Sequence, residues 1–158
     1  MPHAHCTKFF IEKGDHSMFQ HILVPLDGSE EARKALALAV AIAEKFGARL
    51  TLLYAVDLNA NMSGLDRVTM SGYIPETILE TGYKLLAEAA RRVPADIPVE
   101  TAVIPGHPAH VILELAESDH ADLIVLGSRG LGAVKGLLMG SVSAAVIQKA
   151  PCPVMTTK

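Results

Sequence analysis

The sequence predicts an α/β domain, a single doubly wound sheet of five parallel strands with helices on both faces. Three observations carry that expectation. Short β-branched or leucine-rich runs alternate with longer stretches whose apolar residues recur at three- and four-residue steps, the pattern of strands joined through crossover helices. The chain has 158 residues, the size of one domain that buries roughly 70% of its unfolded surface. Half of the residues are hydrophobic but only 4% are aromatic and none is Trp, so the core is expected to be Ala, Val, Leu and Ile in packed layers.

Residues 1–17 carry no usable period and are set apart as a leader, with the domain spanning 18–158. They lack the apolar core of a signal peptide. His3, His5, Cys6 and His16 could ligate a transition metal, but their spacing fits no zinc template, and a disordered leader is the simpler reading.

The first strand is His21 to Leu26, stopping at Asp27-Gly28-Ser29. Ser29 is placed to cap a helix from Glu30 to Phe46, with Glu30 and Glu31 adding negative charge to its first turn. Ala32, Ala35, Leu36, Ala39, Val40 and Ala43 make a small-residue stripe for the sheet, and Gly47 ends the helix. Ala48 to Val56 is the second strand. Asp57 to Tyr73, rich in Asn, Ser, Gly and Met, is a lid or disordered loop. A second helix follows over about Pro75 to Arg92, with Ile78, Leu79, Leu85, Leu86 and Ala89 facing inward. Pro98 to Ile104 is the third strand, Ala109 to Ser118 the third helix, Asp122 to Leu126 the fourth strand, Ser141 to Lys149 the fourth helix and Val154 to Thr157 the fifth strand. Right-handed crossovers leave few topologies, and the strand order most consistent with these elements is 3-2-1-4-5. Strands one and four are then neighbours whose connections leave to opposite faces, so a crevice opens at their carboxyl ends.

Two loops line that crevice: Asp27-Gly28-Ser29, and Gly127-Ser128-Arg129-Gly130 with Gly140-Ser141 nine residues further on. A strand, a glycine loop and a helix start in succession suit a phosphate, because glycine lets backbone N–H groups approach a ligand and the helix start offers unpaired donors. Gly127, Gly130, Gly140 and the N–H groups of Ser141, Val142 and Ser143 are the candidates, with the hydroxyls of Ser141 and Ser143 in reach. Glycine loops also turn corners without binding anything. The coincidence of loop, helix start and switch point is what favours a nucleotide. Arg129 either neutralises phosphate or faces solvent, and Asp27 either closes its turn or lines the pocket.

Other classes find little support. With 14 basic and 17 acidic residues there is no basic stripe for nucleic acid. The segment Leu131 to Ile147 is interrupted by Lys135 and falls short of the roughly 18 apolar residues a membrane span needs. Cys6 and Cys152 sit in no framework spacing, which fits a reducing compartment and places the protein in the cytoplasm. Cys152 is expected to be a packing or interface residue. A P-loop is missing, and His107 and His110 lie near strand three, away from the crevice, so no catalytic set can be assembled.

The pattern G-x2-G-x9-G-S/T, together with Val24-Pro25-Leu26-Asp27-Gly28-Ser29 and Pro151-Cys152-Pro153-Val154, closely resembles the signature of the universal stress protein (UspA-like) family in its ATP-binding branch. The resemblance covers about Met18 to Lys158. It implies the same 3-2-1-4-5 strand order, in an adenine nucleotide alpha-hydrolase-like fold. It also implies ATP or another adenine nucleotide as ligand, with any Mg or Mn held by the phosphates. Asp27 lines the nucleotide pocket in this scheme, with Pro25 and Leu26 as its wall, Val56 near the adenine, and Gly127, Ser128, Arg129, Gly130, Gly140, Ser141, Val142 and Ser143 around ribose and phosphates. A homodimer paired through the last strand is implied as well. The expected function is a nucleotide-responsive regulatory or stress-resistance protein working through conformation or an unidentified protein partner. The alternatives are a slow ATPase or phosphotransferase and a nucleotide-free dimerisation module.

Overall fold

The computed structural model describes residues 18–57, 76–132 and 139–158. The leader and most of the loop from Asp57 to Tyr73 lie outside the described residues. Five parallel strands form one sheet in the order β3-β2-β1-β4-β5, as expected. β1 (His21–Pro25) lies between β2 (Arg49–Val56) and β4 (Leu123–Gly127), while β3 (Val99–Pro105) and β5 (Val154–Thr157) are the edges. The helices among the described residues are α1 (Glu30–Phe46), α2 (Glu76–Ala90), α3 (Pro108–Ser118) and α4 (Ser141–Lys149). None is long and apolar enough to cross a membrane.

Side chains alternate across the pleat, so one run of apolar residues feeds two cores. Ile22 and Val24, with Leu50, Leu52, Leu123 and Val125, pack beneath Ala35, Leu36 and Ala39 of α1 and Leu86 of α2. Leu23, Leu53, Ile124 and Leu126 pack on the other face against Val111, Ile112 and Ala116 of α3 and Val146 of α4. Both faces are covered, which is why these strands are continuously apolar. Since α1 leaves β1 on the first face and α4 leaves β4 on the second, the sheet splits its connections between those central strands.

The caps of α1 form as expected. Ser29 accepts from the Ala32 N–H, and Gly47 closes the helix at φ 69°, a left-handed conformation that suits glycine. Boundaries move by one or two residues elsewhere. β3 extends to Pro105, which pairs with Val56 from an edge that needs no N–H on its outer side. β4 starts at Leu123 because the Asp122 carboxylate accepts the N–H groups of Gln20 and His21, both at 2.9 Å, and so belongs to the closure of the sheet base. α2 gives way after Ala90 to a tighter turn in which Arg92 and Val93 donate to carbonyls three residues back.

At that base His21 is buried, with Nε2 2.8 Å from Thr51 Oγ1 and Nδ1 3.0 Å from the Asp119 carbonyl. The carbonyl only accepts, so Nδ1 carries the proton and Nε2 accepts from the threonine hydroxyl. Burial pushes the pKa of this imidazole below its ordinary value.

Candidate functional site

β1 ends in the turn Asp27-Gly28-Ser29. Asp27 Oδ1 accepts the Ser29 N–H at 2.9 Å, and Ser29 Oγ accepts the Ala32 N–H at 3.2 Å, so the turn and the start of α1 are closed by their own side chains. The second carboxylate oxygen reaches across the crevice and accepts the Leu131 N–H at 3.1 Å. Asp27 thus joins the two loops. A Cβ on Gly130 would run into that same oxygen, which accounts for a glycine there.

Ser128 organises the glycine loop. Its N–H donates to the Thr157 carbonyl at 2.8 Å, and its carbonyl accepts the Gly140 N–H at 2.8 Å and the Ser143 hydroxyl at 2.6 Å. Its own Oγ is buried and has no hydrogen-bond partner among the described residues. Ser143 Oγ also lies 2.9 Å from the Gly140 carbonyl, and the residue is buried. Its hydroxyl proton therefore braces the loop from behind, whereas the sequence placed it in reach of phosphate. Ser141 is exposed at the mouth of α4.

That mouth is open. Gly140 is the N-cap of α4 and supplies no side-chain cap. Its N–H is taken by Ser128, but those of Ser141, Val142 and Ser143 have no acceptor among the described residues. A Cβ on Gly140 would approach nothing nearer than 3.5 Å, an ordinary contact, so the protein's own packing does not call for glycine at this position. Three donors without acceptors among the described residues, at the partial positive end of a helix, are groups that an anion could satisfy.

The remaining expected residues form the surroundings. Pro25 is half-buried; Leu26 is buried, with its N–H held by the Leu53 carbonyl at 2.8 Å. Val56 is fully buried and its carbonyl accepts the Gly106 N–H at 3.0 Å, so the end of β2 is pinned to the turn after β3. Arg129 turns towards α1, with Nη2 3.1 Å from Glu31 Oε1. His107 is the N-cap residue of α3 and makes no side-chain cap bond, and His110 pairs with Glu114 at 3.1 Å; neither joins the loops. Cys152 is half-buried, and burial together with nearby Asp122 pushes its thiol pKa up, in keeping with a packing role.

Two participants escaped the sequence reading. Glu31 looked like a first-turn charge for the helix dipole; it also holds Arg129 and lies against Gly127, where a Cβ would meet Glu31 Cβ at 2.8 Å. Thr157 ends β5 and ties it to both neighbours: its carbonyl accepts from Ser128 and its hydroxyl donates to the Glu31 carbonyl at 2.8 Å. No local pattern marks contacts that span 98 and 126 positions of chain.

Comparison with known proteins bears on the whole of this framework. Residues 18–158 match the model of the universal stress protein family. A universal stress protein encoded in the QAH/OAS sulfhydrylase 3′ region of Thermus aquaticus is 38% identical over 148 residues, which cover 89% of this chain and 100% of the relative. Among solved structures, the universal stress protein UspA from Lactobacillus plantarum superposes with a TM-score of 0.73 at 30% identity, covering 89% of this chain and 98% of that one. A universal stress protein in complex with cAMP superposes with a TM-score of 0.69 at 27% identity, covering 90% and 99%.

Proposed function

This chain belongs to the universal stress protein family, and on that premise we propose that it binds an adenine nucleotide between its two crevice loops and acts as a nucleotide-responsive regulator. The observation that carries the reading is the open start of α4, where the Ser141, Val142 and Ser143 N–H groups lack acceptors beside a glycine that packing does not require. A structurally similar universal stress protein holds cAMP, which supports an adenylate as the occupant.

In this reading phosphate sits on Gly140, Ser141 and Val142, and the ribose near Gly127 and Gly130. The base lies between β1 and β2 against Pro25, Leu26 and Val56. ATP is one of the adenylates that fit, with a magnesium or manganese ion held mainly by its phosphates. Ser128 and Ser143 keep the loop in shape, and Asp27 sets the spacing of its two sides through the Ser29 and Leu131 N–H bonds. Both Asp27 oxygens accept backbone N–H groups, which suits a positioning role better than orienting a water for hydrolysis. The output is a change of conformation or of partner binding, in a cytoplasmic homodimer paired through the exposed edge of β5.

The test is to identify by mass spectrometry any small molecule released on denaturing the fresh protein, and then to follow melting with added adenylates. Ligand at 100 times its dissociation constant adds about 2.7 kcal/mol of stability. A released adenine nucleotide and a raised melting temperature are expected. No bound nucleotide and no shift with any adenylate would leave a dimerisation module as the better account.

A further inference from the structure

The last strand is wired to the glycine loop from two sides. Thr157 of β5 accepts the Ser128 N–H on its carbonyl at 2.8 Å and donates its hydroxyl to the Glu31 carbonyl at 2.8 Å. From Ser128 the connection runs on to the Gly140 N–H at 2.8 Å and the Ser143 hydroxyl at 2.6 Å, and so to the open start of α4. From Glu31 it runs to Arg129 at 3.1 Å. The same strand has a free side. The Pro153 and Thr157 carbonyls face β4, accepting from Ile124 and Ser128, so by the alternation of a strand the backbone N–H and C=O groups of Val154 and Thr156 point to the open edge, without partners among the described residues. Val154 packs with the core beneath α3 and α4, while Met155, on the face towards α1, is 41% exposed at that edge.

We propose that Thr157 is a positioning residue that couples adenylate binding to pairing of β5 with a second copy of the chain. This rests on the adenine-nucleotide reading and the β5 dimer above. β5 is four residues long and laddered on one side only. Pairing at its open side adds a second ladder, which fixes Thr157 and through it the loop before the ligand arrives. Adenylate affinity is therefore higher in the dimer, and adenylate strengthens the dimer in return, since coupling between two binding events is reciprocal.

The test measures the dimer constant of the full chain by sedimentation equilibrium, with and without saturating AMP or ATP, and adenylate affinity at protein concentrations on either side of that constant. Each wild-type site is expected to bind adenylate about fivefold more tightly in the dimer than in the monomer. Filling both sites then strengthens the dimer by the square of that factor. Thr157→Val keeps the carbonyl but loses the hydroxyl bond to Glu31, so the difference falls to about twofold or less, whereas Thr157→Ser retains it. Thr156→Pro blocks the open edge without removing a bond to β4; it is expected to be a monomer with the weaker affinity. Adenylate bound equally by monomer and dimer, or a difference that Thr157→Val leaves intact, would overturn the coupling and leave the nucleotide site standing. A wild-type chain that binds adenylate yet stays monomeric would overturn the coupling together with the dimer. Failure of AMP and ATP alike to bind the wild-type protein would overturn the site and the inference with it.

Discussion

Two helices begin at the carboxyl ends of neighbouring central strands, and their starts are built in opposite ways. α1 closes itself: Ser29 accepts from Ala32, Asp27 holds Ser29, and Glu30 and Glu31 place negative charge over the dipole. α4 has glycine where α1 has serine, no acidic residue in its first turn and three N–H groups without acceptors among the described residues. A helix start left open with glycine at its N-cap forgoes a few tenths of a kcal/mol relative to a capping side chain. The chain keeps that vacancy at the switch point of the sheet, and supports it from behind with Ser128, Ser143 and Thr157. Capping chemistry thus separates a helix start that the chain closes itself from the one at which the proposal places the ligand.

Changes to either helix start should break this contrast in order of size. Gly140→Glu puts bulk and negative charge over the open donors; adenylate affinity is expected to fall more than 100-fold, about 2.7 kcal/mol, with the circular dichroism of the free protein unchanged. Ser143→Ala removes the hydroxyl that braces the Ser128 and Gly140 carbonyls. A loss of about 1.5 kcal/mol in urea unfolding should accompany weaker binding, because the loop loses its support. Ser29→Ala uncaps α1 and should cost about 1 kcal/mol in the same experiment with adenylate affinity nearly unchanged, since that helix start does not hold the ligand. Gly140→Asn gives α4 a cap of its own. Stability should rise by a few tenths of a kcal/mol while adenylate affinity drops, an opposition that a purely structural glycine would not produce.

His21 supplies a control from the opposite end of the sheet. Its pKa in the folded state is lowered from 6.5, so the unfolded chain takes up the proton first as pH falls. Stability should be level above 6.5, decline as pH drops from there towards the folded value, by at most about 1.4 kcal/mol per unit, and level again below it. Urea unfolding across that range checks the sign, and the effect should be lost in a variant lacking the imidazole.

Much of this contrast was legible before any coordinates. The apolar runs and their helical spacers gave the order of elements, and Ser29, Gly47 and Gly140 marked helix ends because capping is a local matter of three or four residues. What stayed hidden depended on distant segments meeting. Arg129 could not be told from a solvent-facing arginine until the fold set it beside Glu31, and Ser143 looked like a ligand contact until burial turned its hydroxyl to the loop. Gly82, unfavourable in a helix by propensity, is needed in α2 because a Cβ there would meet Tyr54 Cδ1 at 2.6 Å and Val103 Cγ1 at 3.0 Å. Packing between α2, β2 and β3 decides that position, and no periodicity announces it.

The most direct test is to titrate AMP into isotope-labelled protein and follow the backbone amides of both helix starts by nuclear magnetic resonance. Binding at the open helix should move the Ser141, Val142 and Ser143 amides most and together, with Glu30, Glu31 and Ala32 moving little. Saturable binding that shifts the α1 amides and leaves those of α4 in place would contradict the assignment.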